Sequence, residues 1–185
     1  MKNSENSIKL QRVSRRLGRF FHIWMYIMPV FVLFYWLGYN SAPIHLINTV
    51  LPGIHGGAMP KVLKLNSRLI GLTGDLPALF VMLLALGALR RLFFLYAKGL
   101  FFKAENVLYY RKLSRLAFGG ILTNIFNKTL LIMALTINNP PGQREFMIAF
   151  TRDHVKLMLV AVILMILARV MHEGRELYDE NQLTV

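Results

Sequence analysis

Polar and apolar positions along this chain fall into long blocks, not into a repeating stripe. Four apolar blocks stand out, at about 20–39, 69–89, 116–137 and 155–170. A helix needs ~20 largely apolar residues to cross a bilayer, and the first three blocks meet that length outright. The fourth meets it if Lys156 and Arg169, at its two edges, extend to opposite surfaces. A helix of a soluble bundle carries an apolar stripe and a charged face. Pro77–Leu89 (PALFVMLLALGAL) and Leu157–Ala168 (LMLVAVILMILA) have no charged face. The pattern therefore predicts an all-α integral membrane protein with four transmembrane helices. A basic tail of 1–19 precedes the membrane domain of 20–171, and an acidic tail of 172–185 follows it. The first block reads as a retained span. It is longer than the usual ~7–15-residue core of a signal peptide, and Asn40-Ser41-Ala42 is a poor cleavage site.

Charge sets the expected orientation. Lys and Arg residues number 22 against nine Asp and Glu, a net charge of +13. Six of the cations precede the first block and seven lie in 90–115; Arg169 and Arg175 end the fourth block and follow it. Segments on the other side hold five, namely Lys61, Lys64, Arg68, Arg144 and Arg152. Fifteen against five places both termini and the central loop in the cytoplasm. That is the orientation of a multi-pass membrane protein with anionic lipids as partners for the basic face. Topology accounts for the positive charge, so direct binding of nucleic acid is not expected.

Composition narrows the chemistry. The chain is 55% apolar and 17% charged, which excludes intrinsic disorder. It has no cysteine, which excludes thiolate metal sites, iron–sulfur clusters and a cysteine nucleophile. No Gly-x-Ser-x-Gly or HExxH pattern occurs, and Gly53-Ile54-His55-Gly56-Gly57 reads as turns between Pro52 and Pro60. His22 and His172 fall near the cytoplasmic side, and His45, His55 and His154 near the outer side, with no pair at mid-depth for haem. No enzyme activity and no cofactor are expected. Phe146, Ile148 and Phe150 alternate in the second outer segment, a weak strand signal.

Two charges lie well inside spans, Asp75 and Lys128. Their depths differ by only ~5 Å at ~1.5 Å per residue, and an unpaired charge there costs at least ~2.5 kcal/mol. They are expected to approach each other, with Asn124 and Asn127 completing an intramembrane polar cluster. The cluster has two readings: a helix-to-helix clamp, or a relay or substrate site of a small transporter or channel subunit.

One pattern occurs twice. Gly99-x-x-Phe102-x-x-Glu105-Asn106 follows the second block, and Gly174-x-x-Leu177-x-x-Glu180-Asn181 follows the fourth. Its recurrence in the same topological place suggests a 2+2 parallel internal repeat. Glycine at the end of a helix can take the left-handed cap, and the Glu-Asn pair can put a carboxylate at the start of the next helix, here over Ala104–Arg115. The alternative to simple capping is an interaction surface on the cytoplasmic side.

These residues carry a resemblance. The first motif after Arg90-Arg91-Leu92-Phe93, then Asn139-Pro140-Pro141-Gly142, Ala168-Arg169-Val170-Met171 and the terminal run Glu173–Val185, are similar to the bacterial membrane proteins grouped as domain of unknown function 2975. Lys103 stands where that family more often has Ser or Thr. The resemblance implies a four-span inner-membrane protein and no particular activity. It also suggests a cytoplasmic regulator of helix-turn-helix type as partner. The resulting expectation is a non-enzymatic regulatory or accessory protein, with the cytoplasmic motifs as its interaction surface.

Overall fold

A computed structural model describes the backbone of residues 2–38, 63–140 and 152–183, with isolated positions between 140 and 152. Four helices make up the described chain: α1 (Lys2–Gly38), α2 (Leu65–Ala97), α3 (Ala104–Thr136) and α4 (Arg152–Leu183). All four contain a stretch long and apolar enough to cross a membrane. Each also extends beyond its apolar block, because the flanking residues are good helix formers without a stop. Ala104–Arg115 runs straight into the third span as one helix.

Exposure follows the chemistry of a lipid-facing surface. Val30, Phe34 and Leu37 of α1 and Phe80 of α2 each expose more than 60% of their surface, as does Leu122 of α3. A water-soluble chain does not leave a contiguous apolar surface of this kind uncovered. Pro29 and Pro77 lie inside α1 and α2, where each removes one backbone donor from its helix.

The chain divides into two compact units. The first comprises 1–26, 81–121 and 152–185; the second comprises 27–80 and 122–151. In the first unit Ala88, Leu92 and Leu113 form a buried cluster, with Tyr96, Tyr109, Tyr110 and Leu164 against it. Ser114 donates from α3 to the Ala161 carbonyl of α4 at 2.9 Å, in a buried setting. Both α1 and α2 also meet here, with Phe21 stacked on Phe93 at 5.5 Å between centroids. In the second unit Trp36, Leu63, Leu131 and Leu135 form the buried cluster. Small residues of α2 line its packing face: Ser67, Gly71 and Gly74 are all buried. Close approach over small side chains is how helices associate in lipid, where burial of apolar surface gives no drive.

Two expectations are corrected. Phe146, Ile148 and Phe150 are exposed and irregular, with no strand among the described residues. Gly174 does not end a helix: α4 continues through it to Leu183, and the positive-φ glycines among the described residues are Gly99 and Gly142. Glycine inside a helix costs only ~1 kcal/mol relative to alanine, and Arg175, Glu176 and Leu177 after it favour continuation.

Candidate functional site

The intramembrane cluster lies wholly within the second unit. Asp75, on the third turn of α2, is half-buried. One carboxyl oxygen accepts the indole N–H of Trp36 on α1 at 2.5 Å. The other accepts the side-chain amide of Asn127 on α3. A single acid thus joins three helices through two neutral donors. The indole is 3% exposed and lies directly over Gly71, one turn before Asp75. A Cβ at Gly71 would overlap the six-membered ring of Trp36, so only glycine leaves room for the indole. One turn away, a Cβ on Gly74 would sit 3.1 Å from Leu130 of α3. The Asn138 amide adds a further tie, donating 2.7 Å to the Ser67 hydroxyl, and Arg68 donates to the Leu37 carbonyl at 3.3 Å.

Of the four residues expected in this cluster, the structure brings together Asp75 and Asn127. Asp75 has no ion pair with Lys128 among the described residues. Lys128 is half-buried and makes other interactions of its own. Asn124 is one turn before it on α3, without a hydrogen bond to Asp75. An amide and an indole take the two carboxyl oxygens in place of the lysine. Trp36 is the member that the hydropathy pattern did not single out. A tryptophan near the end of a span, opposite the one acid inside the spans, was the available signal, since a buried indole N–H needs an acceptor.

The first Gly-x-x-apolar-x-x-Glu-Asn motif is a turn built in the first unit. Gly99 has φ +77°. The Gly99 N–H bonds to the Tyr96 carbonyl at 3.0 Å and the Leu100 N–H to the Leu95 carbonyl at 3.1 Å. This pair of bonds is the Schellman closure that stops α2. Asn106, fully buried in the first turn of α3, donates its amide to the Leu100 and Phe101 carbonyls at 2.7 and 2.6 Å. The amide, not the Glu105 carboxylate, therefore holds the turn between the helices, while Glu105 is exposed. Nearby, the Tyr96 and Tyr110 hydroxyls meet at 2.9 Å across α2 and α3.

The second copy of the pattern is helical throughout, and the two copies come together. A Cβ on Gly174 would be 3.6 Å from the Phe102 ring, so the apolar residue of one copy packs on the glycine of the other. Phe102, Glu105, Leu177 and Glu180 of the two copies are all exposed. The side chain of Asn181 lies outside the described residues, as do His45 and His55. His154 is buried at the start of α4, and His172 lies 3.6 Å from Glu176.

No curated protein and no solved structure matches the chain. The family model described as a protein of unknown function, DUF2975, matches residues 64–185. That span runs from the second apolar helix through the paired motifs to the end of the chain, so the chain belongs to the DUF2975 family of proteins of unknown function.

Proposed function

We propose that the chain is a non-enzymatic regulatory or accessory protein of the bacterial inner membrane, with both termini and the 90–115 segment in the cytoplasm. Its two Gly-x-x-apolar-x-x-Glu-Asn segments form the interaction surface. The convergence of those segments carries the reading: Phe102 packs on Gly174, and Glu105, Glu180, Phe102 and Leu177 of the two segments stay exposed. A mixed apolar and acidic surface suits a basic, soluble partner. A cytoplasmic regulator of helix-turn-helix type, which the family resemblance suggests, has that chemistry. The Asp75 cluster serves as a clamp in this reading, because both carboxyl oxygens are engaged by helix-borne donors.

Site-specific photocrosslinking from position 103, an exposed position of the same turn, in intact membranes tests the proposal. The expected result is one soluble adduct that is lost when Glu105 and Glu180 are both changed to Lys. Adducts that survive the double change, or adducts to lipid alone, contradict it. Flux through proteoliposomes that depends on Asp75 would instead favour a transporter or channel subunit.

A further inference from the structure

A cavity of about 380 Å³ opens in the first unit between α1 and α2. Arg15, Arg19 and His22 line it from α1, about one helical turn apart, and Arg90 and Arg91 line it from α2. Gly18 and Phe93 lie between them, and a Cβ on Gly18 would be 3.9 Å from both the Arg90 carbonyl and Phe93 Cβ. No carboxylate lines the cavity. None of the four arginines has an ion pair with a described residue. The Nδ1 atom of His22 is buried without a hydrogen-bond partner among the described residues. Lys98 adds a fifth cation nearby, 4.4 Å above the ring of Phe94, itself part of the lining.

We infer that this cavity is a binding site for a phosphate-bearing anion. Arg15, Arg19, Arg90 and Arg91 are all exposed to the concavity's surroundings, so an anion can reach them; it would relieve their mutual repulsion, and their planar forks match phosphate oxygens bidentately. The volume falls within the ~300–1,000 Å³ of small-molecule sites. Phe93, Phe94 and Ala97 give the cavity an apolar wall. Phe20 and Ile23 expose about half their surface just beyond it on α1. A charged head against arginines with an apolar body along α1 is the arrangement that a glycerophospholipid offers. A free phosphate group satisfies only the charged half. The inference is independent of the motif surface, since it shares no residue with it.

The test uses the full-length chain in phosphatidylcholine nanodiscs, with thermal stability and native mass spectrometry as readouts. One arm adds phosphatidylglycerol as a minor component of the disc and the other adds inorganic phosphate to the buffer. The variant R15Q/R19Q/R90Q/R91Q empties the site of charge. The variant R12Q/R16Q/R111Q/R115Q removes the same charge from equally exposed positions that do not line the cavity. Phosphatidylglycerol adducts and stabilisation in the wild type, reduced at least about tenfold in the first variant and retained in the second, support a lipid headgroup as the ligand. The same contrast with inorganic phosphate supports a soluble phosphate compound. Binding in neither arm, or equal loss in both variants, overturns the site.

Discussion

Replacing Asp75 with Ala removes the acceptor that both Trp36 and Asn127 use. Interhelical hydrogen bonds in membrane proteins are worth ~0.6 kcal/mol on average and up to ~1.7. Two of them amount to roughly 1–3 kcal/mol. The stranded indole N–H pushes the loss toward the upper end, since Trp36 is 3% exposed and has no water to turn to. At ~2–4 °C per kcal/mol for a chain of this size, the midpoint of unfolding falls by roughly 2–12 °C. Asp75→Asn keeps one acceptor oxygen and falls between wild type and Asp75→Ala. The assay is tryptophan fluorescence during thermal unfolding in mild detergent. A Trp24→Phe background makes Trp36 the sole reporter, because the chain has two tryptophans. A double-mutant cycle with Asn127→Ala isolates the α2–α3 bond, with an expected coupling of roughly 0.5–1.5 kcal/mol. An unchanged midpoint together with zero coupling refutes the clamp and returns Asp75 to the transport reading.

Other substitutions probe the remaining contacts. Gly71→Leu drives a side chain into the Trp36 ring and is expected to abolish monodisperse purification, whereas Asn66→Leu, at an exposed position of the same helix, is expected to be neutral by gel filtration. Asn106→Ala strips two carbonyls of their donor and is expected to cost roughly 1–3 kcal/mol, seen as faster amide exchange at 99–106 by mass spectrometry. Gly99→Ala places a Cβ at φ +77° and 2.8 Å from the Gln11 amide, for an expected loss of roughly 1–2 kcal/mol in the same assay. Ser114→Ala removes the buried bond to Ala161 and is expected to cost ~0.6 kcal/mol, a small but measurable shift of the thermal midpoint.

Block-like hydropathy was enough to find all four helices, because a lipid-facing helix is apolar on every side. Their ends were harder to read. Residues 2–19 are polar yet helical, and nothing in them but propensity says so, whereas the Glu105-Asn106 pair marked the start of the helix over 104–115. Gly99 and Gly174 occupy the same place in the same pattern, yet one stops a helix and the other does not. The difference lies downstream: Asn106 bonds back to the Leu100 and Phe101 carbonyls and holds the turn after Gly99, whereas α4 runs on through Gly174 to Leu183. The Asp75 cluster was half legible. Charge logic pointed to Lys128 as the partner, but a neutral amide one residue earlier and an indole from another helix take the carboxyl oxygens. Pairing of that kind depends on the rotational setting of three helices, which the hydropathy pattern does not encode. The arginine cavity was legible only as positive charge, since two segments far apart in the chain must meet to form it.

Orientation in the membrane decides which face a soluble partner can reach, and the absence of cysteine makes it directly measurable. Single cysteines at Lys103 and at Arg144 are to be labelled with a membrane-impermeant maleimide in intact spheroplasts and after permeabilisation. The expected result is labelling at 144 in intact spheroplasts, and labelling at 103 only after permeabilisation. Labelling of both positions from the same side, or the reverse pattern, contradicts a cytoplasmic motif surface.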